Sequence, residues 1–238
     1  MPRDKHAMTD TAEKLSGQTH ACFFGLVRRK QCLFPTFRGW LMIGLAIFLA
    51  GAIFVSGVYG FLAVQDSVPG GVLVAEGWVP DFVLVETLAE FHRHHYDGIF
   101  VTGMPMEKGA ILSEYKTTAD LSAAILIKLG ADPLTVYSVP TTAVLKDRTY
   151  ATAVALREDL AKRGLSVSKV NVISLGAHSR RTRLLYEHAF GPSVQVGIIA
   201  MTPRDFDSSH WWRTSQGFRG VTDEITAYLY ARFFFSPK

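Results

Sequence analysis

An uncharged apolar segment of 26 residues, Gly39–Val64 (GWLMIGLAIFLAGAIFVSGVYGFLAV), sets the organisation of this 238-residue chain. As an α-helix the segment extends about 39 Å, and the hydrocarbon core of a bilayer is roughly 30 Å thick. A cleavable signal peptide has a shorter apolar core that begins nearer the first residue. A helix this apolar is also too long for a domain of this size to enclose. We therefore predict a single transmembrane helix over residues 39–64.

The charges on either side of the segment predict its orientation. Residues 1–65 carry 7 Lys/Arg and 3 Asp/Glu, a net charge of +4, whereas residues 66–238 carry 18 of each and are neutral. Because cytoplasmic flanks of membrane helices are enriched in Lys and Arg, we expect a short cytoplasmic tail over residues 1–38. An extracytoplasmic domain then occupies residues 66–238. This domain has no excess of basic residues, so we expect no binding to nucleic acid.

In the domain, short apolar runs alternate with segments of helical periodicity. The apolar runs, typical of buried strands, are Val72–Ala75, Ile99–Val101, Thr135–Tyr137, Val170–Leu175 and Val194–Ile199. The predicted helices cover residues 83–91, 113–129 with Ser113 as N-cap, 147–164, 178–190, and most of the last thirty residues. Strands that alternate with helices indicate βαβ units and a parallel sheet in an α/β fold.

Ligands of such sheets bind beyond the carboxyl ends of the strands, where the next helices begin. The informative side chains are therefore those that follow each predicted strand. These candidates are Glu76, Gly77 and Trp78 after the first strand, Thr102, Gly103, Ser113 and Glu114 after the second, Arg148 and Thr149 after the third, and His178, Arg180 and Arg181 after the fourth.

The segment after the fourth strand carries the strongest physical signal. A helix N-terminus is the positive end of the helix dipole, so each cation there is unfavourable by about 0.3–1 kcal/mol. The helix that begins at His178 nonetheless opens with Arg180, Arg181 and Arg183, and Arg148 repeats the arrangement on the preceding helix. A bound anion would make this cluster of cations favourable, because the backbone N–H groups and the guanidinium groups would then both face the anion. The segment therefore predicts an anion site.

The alternative interpretation is a solvated basic helix start, in which Arg183 pairs with Glu187 at i, i+4. Arg181 fits this interpretation poorly, since it lies one turn before Leu185 and therefore faces the sheet. An arginine directed inward needs a partner.

Several other patterns favour ordinary structural roles. Ser113-x-x-Lys116 matches the serine motif of penicillin-binding proteins, but the Ser-Asp-Asn and Lys-Thr-Gly that accompany it are absent, so a helix cap is favoured. The histidines at 92, 94 and 95 and the Asp205–His210 cluster lack metal-ligand spacing, and we expect no metal site. The sequence has no glycine-rich nucleotide motif and no nucleophile elbow, and it specifies no cofactor.

Taken in order, the loops of the domain resemble the YdcF/SanA/ElyC family of bacterial envelope proteins. The matching motifs are the strand ending in Gly77, Thr102-Gly103, Ser113-Glu114, Arg148-Thr149-Tyr150 and His178-Ser179-Arg180-Arg181. Glu76-Gly77-Trp78 departs from the family's Gly-Gly, and Arg148 and Thr152 stand where the family has asparagines. The resemblance implies a three-layer Rossmann-like fold, an anchor in the bacterial inner membrane and a role in envelope biogenesis or integrity.

Two classes of function remain open. In the first, the domain is an enzyme that hydrolyses or transfers a phosphorylated precursor, such as a lipid-linked or nucleotide-linked sugar. Its residues are the phosphate-binding Arg148, Arg180 and Arg181, the general base Glu114 or Glu76, and the proton-donating or ligand-orienting His178. In the second, the domain binds an anionic ligand, a nucleotide or a partner without chemistry and acts as an envelope assembly factor.

The charge asymmetry gives a prediction about topology. Alkaline phosphatase fused after Val64 is expected to be active and a green fluorescent protein at the same position to stay dark, because the positive flank retains the N-terminus in the cytoplasm. The same two reporters fused before residue 39 serve as the control and should give the reverse pattern. Fusions after Val64 that are active only in the cytoplasm contradict the orientation.

Overall fold

The computed structural model of the chain describes residues 35–237 and the backbone of two short strands nearer the N-terminus. These strands are β1 (Ala21–Cys22) and β2 (Val27–Arg28), which pair in antiparallel orientation. The predicted tail over residues 1–38 therefore lies mostly outside the described residues.

The apolar segment forms one continuous helix, α1 (Phe37–Leu62). It begins and ends two residues earlier than the predicted range of 39–64. Among the described residues it is the one helix that is long and apolar enough to cross a membrane. The chain divides into two compact units, and the division falls inside α1 after Ala50.

After α1, strands and helices alternate as predicted. They are β3 (Val72–Glu76), α2 (Asp81–Arg93), β4 (Ile99–Gly103), α3 (Thr118–Lys128), β5 (Val136–Pro140), α4 (Arg148–Lys162), β6 (Lys169–Leu175), α5 (Ser179–Phe190), β7 (Gln195–Met201) and α6 (Ser215–Phe233). Two short 3-10 helices, Gly176–His178 and Ser208–Arg213, precede α5 and α6.

The strands β3 to β7 form a single parallel sheet in the order β5-β4-β3-β6-β7. This confirms the predicted α/β class with a parallel sheet. The chain first builds outward from β3 through β4 to β5, then returns and builds the other way through β6 to β7. The order of strands therefore reverses between β3 and β6, and open α/β sheets bind ligands at the carboxyl ends beside such a reversal.

Helices cover both faces of the sheet, which explains why the strands are apolar throughout. All five residues of β3 are buried. Because side chains alternate along a strand, Leu73 and Ala75 pack toward α2 and α3, whereas Val74 packs toward α4 and α5. The two faces therefore have separate hydrophobic cores, as a three-layer Rossmann-like fold requires.

A third hydrophobic cluster joins the end of α1 to the C-terminal region. Val58 and Leu62 of α1 are only 7% and 1% exposed, and they pack with Trp211 and Val221. The indole N–H of Trp211 donates a hydrogen bond to the carbonyl oxygen of Val55 at 3.0 Å. The last two turns of α1 are therefore part of the α/β unit, and the C-terminal segment packs on that unit.

Helix α3 begins later than predicted, and the assignment of Ser113 as its N-cap was wrong. The cap is Thr117, whose hydroxyl oxygen accepts the backbone N–H of Asp120 at 3.1 Å, and the helix starts at Thr118. Ser113 instead lies in the preceding loop, where its hydroxyl accepts the N–H of Tyr115 at 3.1 Å. Serine and threonine are both good caps, so local sequence did not distinguish the two positions.

The docking of α6 gives a prediction about stability. Val221→Ala is expected to lower the free energy of unfolding by about 1–3 kcal/mol, because it removes a fully buried side chain from the cluster with α1. The control is Leu229→Ala on the same helix, which removes a side chain that is 46% exposed and should cost less than about 1 kcal/mol. Unfolding of the full chain in neutral detergent measures both, and equal losses contradict the docking.

Candidate functional site

A cavity of about 1020 Å³ opens at the carboxyl end of the sheet. One side of the cavity is polar and lies next to the reversal between β3 and β6. Its polar residues are Glu76, Thr102, Arg148, Thr149, His178, Arg181 and Glu224. The loops after β4 and before α4 and the last turns of α6 supply most of the apolar lining, and these loops also contribute Glu107, Lys146 and Asp147. The cavity is as large as those that hold cofactors and drug-sized ligands.

Glu76 ends β3 and is one of the most buried charged side chains in the described part of the chain, at 3% exposure. It accepts hydrogen bonds from the hydroxyls of Ser174 at 2.5 Å and Thr182 at 3.4 Å. Burial by itself would raise the pKa of Glu76, but the charge of His178 and these donors outweigh burial and lower it. The carboxyl group is therefore ionised at neutral pH.

His178 lies between two carboxylates at the start of α5. Its Nδ1 donates to Glu224 Oε1 at 2.8 Å, and its Nε2 lies 3.5 Å from Glu76 Oε1. Burial by itself would lower the pKa of His178, but the two carboxylates outweigh burial and raise the pKa to about 9. The imidazole is therefore a cation at neutral pH and carries a proton on both nitrogens.

Arg181 completes the network through a two-pronged ion pair with Glu224. Its Nε donates to Oε2 and its Nη2 donates to Oε1, both at 2.9 Å. Burial would raise the pKa of Glu224, but hydrogen bonds from His178 and Arg181 lower it to about 2. Nη2 also lies 2.9 Å from Nδ1 of His178 because both nitrogens donate to the same oxygen. The inward arginine of the sequence thus has a carboxylate partner.

One polar atom of this network has no hydrogen-bond partner. Among the buried side-chain nitrogens and oxygens of the described residues, only His178 Nε2 is without one. Its nearest carboxylate oxygen is at 3.5 Å, beyond the usual 2.7–3.2 Å range of N–H···O bonds. The ring of Trp78 packs edge-on against the imidazole, with 4.9 Å between ring centroids. A buried donor left unpaired costs about 1–3 kcal/mol, and an acceptor that reached this N–H would relieve that cost.

The N-terminus of α4 forms a second polar feature of the cavity. Its N-cap, Asp147, has a left-handed backbone with φ of 55° and makes no side-chain cap bond. Arg148 pairs with Glu107 at 2.8 Å, but 59% and 75% of the two side chains are exposed. Such a surface pair is worth about 0–1 kcal/mol. Arg148 can therefore exchange Glu107 for an anionic ligand at low cost.

The structure brings most of the predicted site residues to the cavity. Those that line it are Glu76, Trp78, Thr102, Gly103, Arg148, Thr149, His178 and Arg181. Gly103 permits a close approach of α3, since a Cβ there would lie 2.4 Å from the backbone nitrogen of Ala119. Gly77 has the same role outside the lining, because a Cβ there would lie 2.7 Å from the carbonyl oxygen of Thr118.

Besides Gly77, three predicted residues lie outside the cavity lining. Ser113 and Glu114 belong to the loop between β4 and α3, and Glu114 is exposed. The guanidinium of Arg180 stacks over the ring of Phe61 at 3.9 Å and also donates to the carbonyl oxygen of that residue. Among the two candidate bases, Glu76 is therefore the one that faces His178.

Sequence reasoning missed Glu224, which holds both His178 and Arg181. A signal for it exists in α6, where positions 221, 224, 228 and 231 form one stripe along the helix. Val221 and Ala231 on this stripe are buried, and Tyr228 is half-buried. A carboxylate in an otherwise apolar stripe needs a cationic partner, and this pattern could have identified it.

Within residues 35–237, no group of three or more His, Cys, Asp or Glu side chains is arranged to hold a metal ion. No family profile, curated protein or solved structure matches the chain.

The raised pKa of His178 gives a prediction about pH dependence. A group with a folded pKa above its unfolded value of 6.5 stabilises the fold below pH 6.5, and this contribution is lost as pH rises toward 9. The free energy of unfolding is therefore expected to fall by on the order of 2–3 kcal/mol between pH 6.5 and 9. His178→Gln should remove this slope of the free energy of unfolding against pH.

His188→Gln, at an exposed position of the same helix, is the matched control and should keep the slope. If His178→Gln does not fold, the imidazole can be titrated in the parent chain by NMR. A titration midpoint for His178 near 6.5 contradicts the network.

Proposed function

We propose that this chain is a single-pass protein of the bacterial cell envelope, related to the YdcF/SanA/ElyC family, that binds a phosphorylated envelope precursor in the cavity. We further propose that His178 donates a proton to this ligand. The observation that carries the proposal is the buried imidazolium whose Nε2–H has no partner. A charged donor left unsatisfied at the edge of a cavity favours a ligand with a strong acceptor.

A phosphate group suits the polar side of the cavity for electrostatic reasons. Glu76 and Glu224 are offset by His178 and Arg181, so this network has no net negative charge to repel an anion. The uncapped start of α4 and the weakly held Arg148 add backbone and guanidinium donors. In this proposal Arg148 contacts the phosphate, and Arg181 positions His178 through Glu224.

The same residues support hydrolysis of a phosphate ester by acid–base catalysis. Water attacks phosphorus and the bond to the leaving oxygen breaks. Nε2 of His178 gives its proton to the leaving oxygen, and Glu76 takes a proton from the attacking water. Because Glu76 Oε1 lies 3.5 Å from Nε2, that proton can return to the imidazole and restore the starting state. In a transfer reaction, an acceptor hydroxyl replaces the water.

A second candidate is a non-catalytic envelope assembly factor that holds the ligand without converting it. This alternative is favoured because the carboxylates of the network already accept hydrogen bonds from protein side chains. Both oxygens of Glu224 accept from Arg181, and Glu76 is held by two hydroxyls. Such a network also serves to fasten α6 to α5, which is a purely structural role.

The proposal includes a location in the bacterial inner membrane, with the α/β domain outside the cytoplasm. Helix α1 supports attachment to a bilayer by its length and apolar composition. The basic residues before it support a cytoplasmic N-terminus.

Ligand binding is tested by thermal unfolding of the full chain in dodecyl maltoside, with inorganic phosphate, farnesyl phosphate or UDP-glucose as the probe. A probe at about a hundred times its Kd adds roughly 2.7 kcal/mol, which is a rise in Tm of roughly 5–10 °C. The farnesyl and UDP probes distinguish a lipid phosphate from a nucleotide sugar. Arg148→Gln should abolish the rise, because it removes the phosphate contact.

Arg183→Gln is the matched control, since Arg183 pairs with Asp66 and Glu187 outside the cavity, and it should keep the rise. Release of phosphate or of the sugar by the parent, lost in His178→Gln with binding retained, supports the enzyme. Binding without release in the parent supports the assembly factor. An unchanged Tm with all three probes contradicts the proposal.

A further inference from the structure

We propose that the domain rests on the bilayer through the surface formed by Trp212, Arg213, Phe218 and Arg219, called here the interfacial surface. It belongs to the second 3-10 helix and the first turns of α6. The partner that this surface contacts is the lipid bilayer, at the boundary between the headgroups and the acyl chains. The inference rests on α1 crossing a membrane and is independent of the ligand proposed for the cavity.

The interfacial surface is attached to α1 by specific contacts. Trp211, directly before it, is 3% exposed and donates its indole N–H to the carbonyl oxygen of Val55. Val221, two residues after Arg219, is fully buried in the same cluster as Val58. The surface is therefore held beside the stretch of α1 around residue 55.

The length of α1 places that stretch at the membrane surface. A hydrocarbon core of roughly 30 Å takes about 20 helical residues, and 20 residues counted from Gly39, the first after Arg38, reach Val58, less than one turn beyond Val55. Ile53 and Phe54, just before the contacts with Trp211 begin, are 72% and 56% exposed, as side chains that face lipid are. Val55 therefore lies where α1 leaves the hydrocarbon, and the attached surface lies at the same level.

The residues of the interfacial surface have the chemistry of this boundary. Trp212 and Phe218 are 39% and 52% exposed, which is unfavourable in water but suits the interface, where Trp is enriched. Trp212 is oriented by an edge-on contact with Trp211, with ring centroids 5.8 Å apart. Arg213 and Arg219 are exposed beside them, and arginine stems can lie along apolar surface while the guanidinium reaches lipid phosphates.

Contact of the interfacial surface with the bilayer also sets the distance of the candidate site from the membrane. Gly176, two residues before His178, approaches α1 so closely that a Cβ there would lie 2.9 Å from the Tyr59 hydroxyl. Tyr59 is one helical turn beyond Val55. The polar side of the cavity is therefore held close to the membrane surface, and a second contact with the bilayer keeps the domain from tilting about α1.

The experiment uses the full chain with Cys22→Ser and Cys32→Ser, reconstituted in phosphatidylcholine vesicles. A fluorescent NBD label is attached at Phe218→Cys, and the quencher is a lipid with a shallow nitroxide on its acyl chain. We expect the quencher to remove roughly half of the emission, because interfacial side chains lie at the headgroup–acyl boundary. The control is Leu134→Cys, an equally apolar and 79% exposed position before β5, the strand at the opposite edge of the sheet from β7.

The label at position 134 is expected to keep its emission. Equal quenching of both labels, or no quenching at 218, overturns the proposal. A blue shift at 218 without quenching by the lipid indicates that protein covers the surface and also overturns it. If Phe218→Cys lowers the Tm, the label is placed at Trp212→Cys, for which the same outcomes apply.

Discussion

The charge balance around His178 holds together the elements that meet at the carboxyl end of the sheet, where the candidate site lies. The imidazolium lies between Glu76 from β3 and Glu224 from α6, and Arg181 from α5 binds Glu224 by two hydrogen bonds. Removing one member of such a buried set leaves an uncompensated charge, at a cost of about 3–5 kcal/mol. The network therefore fastens α6 to the carboxyl edge of the sheet. Helix α6 in turn packs on the end of α1.

The same balance bears on the stability of the site and on the chemistry proposed for it. Two carboxylates keep the imidazole protonated, but only Nδ1 forms a hydrogen bond to them within the normal distance. Nε2 keeps its proton without a partner, which is unfavourable for folding and is the basis of the proposed ligand binding. This unpaired N–H lies next to the point where the strand order reverses, and open α/β sheets bind ligands at that position. The hydrogen bond of Nδ1 thus contributes to stability, and the N–H of Nε2 carries the proposed reactivity.

Much of the fold could be predicted from the local pattern of apolar and polar residues, because a buried strand and a membrane-spanning helix each have a characteristic pattern. Strands covered on both faces are apolar throughout, and a helix that can cross a membrane contains a long uncharged stretch, here Gly39–Leu62, so β3 and α1 were both predictable. The start of α3 was not, because Ser113 and Thr117 satisfy the cap preference equally. Its true start depends on the packing of α3 against Gly103, which is a tertiary contact.

The sequence by itself determined the α/β class, the apolar helix, the edge of the sheet that carries the site, and the inward direction of Arg181. Only the tertiary structure decided which charges meet there. Glu224 rather than a bound anion is the partner of Arg181, and Glu76 rather than Glu114 faces His178. Periodicity reports which face of an element is buried, over one or two turns. The pairing of Ser174 with Glu76, 98 residues apart, or of Arg181 with Glu224, 43 residues apart, is set by how whole elements pack, and no local pattern encodes it.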